Sequence, residues 1–313
     1  MKDNILKKIL SSLFLLSLCF SISVIEGEEK KVTIRKPAVA GTFYTDNADL
    51  LRAEISARLK NTPDIQTSGE ILAAMAPHAG YVYSGNIAAL TFKSIKNVDF
   101  DTIVIIGHDA GGDAVAYTCP VDYFETPLGK IPVDREMLAK LHAYDKGIKP
   151  FSRVHSRDHT IEIQLPFLQV MNKNCMIVPM MFGNPTPANC GILAEAIKAA
   201  SGNKKIFLLA STDMSHYPDH ESAYKMDNTT LDLIREMDIN PFFRHAAKQR
   251  TDSDMPGIQT AICSSGGVGT ALLYSKSMGM NHVEVLKYAN SGDVPGADKG
   301  RVVGYSSALF IKK

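Results

Sequence analysis

The chain has 313 residues, 45% of them hydrophobic, which is enough for one large core or two modest ones. Its 34 Lys and Arg against 33 Asp and Glu give a formal net charge of +1. That balance argues against broad electrostatic capture of nucleic acid or of an anionic membrane, which needs a basic excess or patch, and no dense Lys/Arg run occurs in the body of the chain.

The N-terminus departs from this even composition. Lys2, Lys7 and Lys8 precede an apolar run over 9–25 broken only by serines, the layout of a secretory signal peptide. Small residues at Ser21 and Ser23 suit cleavage near Ser23, and Gly27 marks a second site. The expectation is a signal over 1–27 and a domain over 28–313, secreted or periplasmic, with no stable membrane span after cleavage. An uncleaved anchor is the alternative, because about 17 apolar residues sit at the lower limit for crossing a bilayer. A lipoprotein at Cys19 is disfavoured by Leu18, which stands where a small residue belongs. If the run is not a signal, the location is cytoplasmic.

From residue 71 onward, short apolar runs bounded by Gly or Pro alternate with longer amphipathic segments, the pattern of an α/β domain. In chain order the pattern predicts a helix over 49–60, a buried strand over 71–76 ending at Pro77, a helix over 85–94 and a buried strand over 102–107. The stretch 109–132, rich in Gly, Pro and aromatics, reads as a long excursion or hairpin beside the sheet. Asp134 then caps a helix to 143, with Glu136 and Lys140 paired one turn apart. Further helices are expected over 159–171, 188–200, 222–237, 241–248 and 260–278, with strands over 176–181, 205–210, 283–289 and 302–311. With no internal repeat, linker or break in composition, one domain with a central, largely buried sheet is the economical reading.

Polar residues fall at the carboxyl ends of the predicted strands, where open α/β sheets bind ligands. One strand runs into Pro77-His78-Ala79-Gly80, a second into Gly107-His108-Asp109, a third into Ser211-Thr212-Asp213-Met214-Ser215-His216. Any one of these histidines taken alone reads as a structural residue bonded to a carbonyl. Three strand-end placements together point to a shared cleft in which His78, His108, Asp213 and His216 hold a metal ion, since borderline metals accept imidazole and carboxylate. A second cluster, His155, Asp158, His159 and Glu162, sets His159 and Glu162 on one helix face, either leaning into the cleft or solvated. Cys263 precedes a small-residue run at a helix start, where the helix field favours the thiolate, both a metal ligand and a nucleophile; its plain alternative is a small buried hydrophobe. Cys119, Cys175 and Cys190 read as buried free thiols, although export would permit a disulfide, with Cys175 and Cys190 the nearest pair.

These residues resemble the MEMO family, whose fold is similar to that of LigB-type class III extradiol dioxygenases. The resemblance runs from about Arg35 to the C-terminus. It is carried by Arg35-Lys36-Pro37-Ala38-Val39-Ala40-Gly41-Thr42-Phe43-Tyr44, Ala76-Pro77-His78-Ala79-Gly80-Tyr81, His159-Thr160-Ile161-Glu162-Ile163-Gln164-Leu165-Pro166-Phe167, Ser211-Thr212-Asp213-Met214-Ser215-His216-Tyr217, Ile262-Cys263 and Gly304-Tyr305. It implies a LigB-like mixed sheet flanked by helices, and a dioxygenase-like cleft in which His78, His216 and Cys263 fall on metal-binding or pocket-lining positions, with iron or copper as the metal. One position departs: the family reads Gly-Pro-Asn/Ser-His where this chain has Gly107-His108-Asp109-Ala110, so Ala110 replaces a histidine and His108 is the candidate substitute. The functions in competition are Fe(II)- or Cu-dependent redox chemistry with His159 or His216 as acid/base, a non-catalytic metal- or peptide-binding protein reusing the cleft, and zinc-dependent hydrolysis. The partner expected in each case is a small molecule or a peptide.

Overall fold

Apolar runs bounded by Pro and Gly become the middle of one large sheet. In the computed structural model, residues 31–67, 69–251 and 258–313 are described; the expected signal peptide over 1–27 lies outside them. Eleven strands occur among the described residues: β1 (Ile34–Arg35), β2 (Glu70–Ala76), β3 (Thr102–Asp109), β4 (Ala116–Thr118), β5 (Tyr123–Thr126), β6 (Gly129–Pro132), β7 (Ile148–Pro150), β8 (Met176–Phe182), β9 (Ile206–Ser211), β10 (His282–Asn290) and β11 (Gly304–Lys312). The helices are α1 (Ala48–Asn61), α2 (Tyr81–Ser94), α3 (Arg135–Tyr144), α4 (Ser152–His155), α5 (Leu165–Val170), α6 (Pro187–Ser201), α7 (His220–Arg235), α8 (Ile239–Thr251) and α9 (Ser265–Ser277). From Thr33 to Lys313 they form one α/β unit.

The large sheet has the order β10-β11-β2-β9-β3-β8-β4-β7. Its middle four strands, β2, β9, β3 and β8, are parallel, and antiparallel neighbours flank them. Parallel strands covered on both faces must be apolar throughout, and Ile103 to Ile106, Ile177, Val178 and Phe207 to Ala210 are fully buried. Helix α9 packs on β3, β9 and β2, with α6 against it, while α2 packs on β11, β10 and β2 and carries α1. A small sheet, β1-β5-β6, contains the hairpin expected within 109–132.

Local chemistry sets most helix starts. Asn47, Asp134, Thr186 and Asp219 each accept a hydrogen bond from a first-turn amide, worth about 1 kcal/mol apiece. Two helices start later than the pattern predicts. The expected helix over 159–171 is a 3₁₀ turn, Glu162–Gln164, followed by α5. A longer helix would drive the Pro166 ring into the carbonyl four residues back, whereas Pro fits the first turn of α5. The helix expected from 260 begins at Ser265, because the amide of Cys263 and the carbonyl of Thr260 are bonded instead to Asp213 O and His216 N.

Candidate functional site

Strands β2, β9 and β3 stand side by side with Ala76 opposite Ser211 and Ile106 opposite Ala210. The turns leaving β2 and β9 carry His78 and Asp213 and emerge beside the last residues of β3, where His108 stands within the strand, which runs to Asp109 and not to the expected end at 107.

His78 is buried. Its amide donates to Asp213 Oδ1 at 2.7 Å, its Nδ1 meets Ser211 Oγ at 3.2 Å and its Nε2 lies 3.1 Å from Cys263 Sγ. Ser211 has one proton, and its Oγ donates that proton to Thr160 O at 2.6 Å while accepting from Gln164 Nε2 at 2.8 Å. Nδ1 of His78 must then be the donor to Ser211, which leaves the Nε2 lone pair facing Cys263. Burial, followed by the neighbouring His159 and His108, pushes His78 well below the ordinary histidine range. Burial and then the Asp213 carboxylate push the Cys263 thiol up. The two groups are thus a neutral S–H···N pair and not a thiolate–imidazolium pair.

This corrects the expectation of a thiolate at a helix start. Cys263 is half-buried and precedes the α9 N-cap Ser264. The first amides of that helix, Ser265 N and Gly266 N, each donate to the Asp109 carboxylate at 3.0 Å, joined by Ser265 Oγ at 2.6 Å. Asp109, and not the thiol, occupies the positive end of the helix.

His159 is central among the rings: its centroid is 5.3 Å from His78 edge-on, 6.3 Å from His108 in parallel and 4.8 Å from Phe43. Burial lowers its pKa. His216 is pinned by its backbone, which donates to Thr260 O and accepts from Gln259 N. Its Nε2 is buried without a hydrogen-bond partner among the described residues, and burial, then His159, hold it at about 4. Asp213 is buried, and burial raises it to about 7 against the opposing pull of the His78 and Ala79 amides. His108 is half-buried, with Nδ1 3.7 Å from Asp158 Oδ1.

The second predicted cluster divides. His159 faces the His78, His108 and Phe43 rings. Glu162, expected to share its face, is fully buried and ties down the chain entering the domain: it pairs with Arg35 and accepts from Ala38 N at 2.7 Å, Val39 N at 3.1 Å and Tyr44 OH at 2.5 Å. The turn that replaces the expected helix is what separates the two. His155 donates from Nε2 to Tyr117 O, and Asp158 caps its own turn through Thr160 and Ile161. Ser211 and Gln164 set the His78 tautomer; Ser211 opens the strand-end run already singled out, whereas Gln164 carries no strand-end or spacing signal of a functional role. All four described cysteines are free.

Among the described residues, no group of three or more His, Cys, Asp or Glu side chains is arranged to hold a metal ion. The donors that do converge are an imidazole lone pair and a thiol, 3.1 Å apart. This pair fits a soft, low-coordinate ion such as Cu(I), which thiolate selects. It does not fit Fe(II) held by two histidines and a carboxylate, because Asp213 Oδ1 is engaged by the His78 amide and its Oδ2 lies 4.0 Å from His78 Nε2. Nor does it fit zinc, which takes three or four protein ligands.

The Memo family, described as Memo-like protein, matches residues 35–309. Relatives include a MEMO1 family protein of Archaeoglobus fulgidus, 32% identical over 88% of this chain and 99% of its own length. Those of Methanobrevibacter smithii and Sulfolobus acidocaldarius are each 34% identical over the same shares.

Proposed function

Because the chain belongs to the Memo-like protein family, we propose that the cleft at the ends of β2, β9 and β3 binds one soft redox ion, cuprous copper, between His78 Nε2 and Cys263 Sγ. The observation that carries this reading is the hydrogen-bond chain Thr160–Ser211–His78, which leaves the Nε2 lone pair aimed at the thiol. Bound there, the ion would supply one-electron chemistry to a small-molecule ligand. His159 and His216, both kept neutral by burial, serve as hydrogen-bonding and acid–base groups toward that ligand.

Competition with a colorimetric Cu(I) chelator should give one ion per chain. His78 has no proton to lose near neutrality and Cys263 has one, so binding releases a single proton and affinity should rise about tenfold per pH unit up to the thiol's raised pKa. Stoichiometry that survives the double change His78→Ala with Cys263→Ala would sink the reading. Oxygen uptake by the copper-loaded protein with catechols separates an oxidoreductase from a protein that only binds the ion.

The run over 9–25 supports export of the chain. Among the described residues no helix is long and apolar enough to cross a membrane. Intact mass of the native protein should correspond to a start near residue 28, and recovery of the full chain from the cytosol would overturn export.

A further inference from the structure

His108 is the cleft imidazole that carries a carboxylate behind it and remains accessible in front. Its Nδ1 is buried, has no hydrogen-bond partner within direct range and lies 3.7 Å from Asp158 Oδ1. Its Nε2 has no partner among the described residues, and the side chain is 38% exposed. Asp158 is nearly fully buried, yet its pKa is low: burial raises it, and the neighbouring His108 imidazole with the donors Thr160 and the Ile161 amide outweigh burial and hold it well below the carboxylate range. It is therefore an anion, fixed on Oδ1 by Thr160 N at 3.0 Å and Thr160 Oγ1 at 2.7 Å and on Oδ2 by Ile161 N at 3.0 Å.

The His108 backbone and the Asp158 carboxylate are linked through the Thr160 hydroxyl. The His108 amide approaches Thr160 Oγ1 at 3.4 Å, the hydroxyl that also donates to Asp158. Gly107 permits that approach, since a Cβ there would sit 2.2 Å from Thr160 Oγ1. A carboxylate facing Nδ1 favours the tautomer with its proton on Nδ1 and stabilises the imidazolium. Separations of this size in a ligand-free site shorten when a ligand engages the other nitrogen. His159 and His216 have no carboxylate facing a ring nitrogen at such a distance, and burial opposes charging either one.

We propose that His108 is the principal proton acceptor of the cleft: Asp158 keeps its proton on Nδ1, and Nε2 takes a proton from the hydroxyl of a small molecule seated against the Phe43–His159 ring pair. The O–H bond breaks, its electron pair stays on the ligand oxygen, and the imidazolium is balanced by Asp158 until the proton is returned. His108 is thereby given a part separate from the ion's donors, and Asp158 is a positioning residue. The inference rests on the cleft's being a ligand site and not on the ion.

The test is the ring-nitrogen spectrum of the metal-free, ¹⁵N-histidine-labelled chain, with the His108 signals assigned by their loss in His108→Gln. The expected result is a single Nδ1–H tautomer; an Nε2–H tautomer overturns the proposal whatever the copper result. Asp158→Asn should turn it into a mixture and slow carbethoxylation of His108 by diethyl pyrocarbonate severalfold, because the Nε2 lone pair is then present in only part of the population. An unchanged tautomer and rate in that variant would remove Asp158 from the role. Should Asp158→Asn fail to fold, carbethoxylation of the parent decides: His108 modified at Nε2 ahead of His78, His159 and His216 supports the proposal, and protection of His108 overturns it.

Discussion

Glu162 shows how a polar residue singled out for chemistry can instead be the anchor of a fold. Its carboxylate is fully buried and receives Arg35, two backbone amides and the Tyr44 hydroxyl. A buried pair is weak evidence of net stabilisation, but breaking one leaves an uncompensated charge and costs about 3–5 kcal/mol. Glu162→Gln keeps the shape and strands the Arg35 guanidinium, which is 5% exposed. Urea unfolding should therefore show a loss of about 3 kcal/mol or more, with Arg35→Met combined with Glu162→Gln recovering part of it. A loss under about 1 kcal/mol would mean that Arg35 finds water or another acceptor.

Elements meet around this site at distances that only glycine allows. Gly266, in the first turn of α9, faces Phe182 at the end of β8, and an added Cβ would lie 2.2 Å from the Phe182 ring. Phe182 is fully buried and has no space to retreat. Gly266→Ala should therefore push α9 off the sheet at a cost of about 1–3 kcal/mol, and because the same turn donates to Asp109 and follows Cys263, it should also weaken Cu(I) binding. Unchanged stability and binding would show that α9 slides without consequence. The contact also explains the run Ser264-Ser265-Gly266-Gly267: its small residues serve helix-on-strand packing as well as the site.

Across the whole molecule, two buried carboxyls set a pH dependence of stability. Asp227 accepts from Ser215 N, Ser215 Oγ and Tyr288 OH, behind the turn that carries Asp213 and His216. Burial raises Asp227 and Asp213 from 3.8 to about 7. Between those values the folded chain holds protons that the unfolded chain has released, so this contribution to stability is fully present below about 3.8 and is lost as pH rises through about 7. Asp227→Asn mimics the protonated form. Thermal unfolding should show the variant more stable than the parent at pH 8, with the difference shrinking as pH falls and gone near 3.8; a difference independent of pH would mean that Asp227 is ionised throughout.

The α/β class, the middle strands and the capped start at Asp134 were legible because burial on both faces and local capping write themselves into a few adjacent residues. The strand-end position of His78 was legible for the same reason, since Pro77 and Gly80 punctuate that turn, and that of Asp213 because an apolar run gives way to polar residues at Ser211; His108 proved to lie inside β3. Pairing was not: β9 lies between β2 and β3 although it follows both at long range in the chain, and only that insertion sets Ser211 beside His78. The direction of Glu162 and the later start of α9 were decided by hydrogen bonds to distant backbone that outweigh helical periodicity. The protonation of Cys263 and His78 likewise followed from burial and from neighbours distant in sequence, Asp213, His108 and His159, which no local pattern encodes.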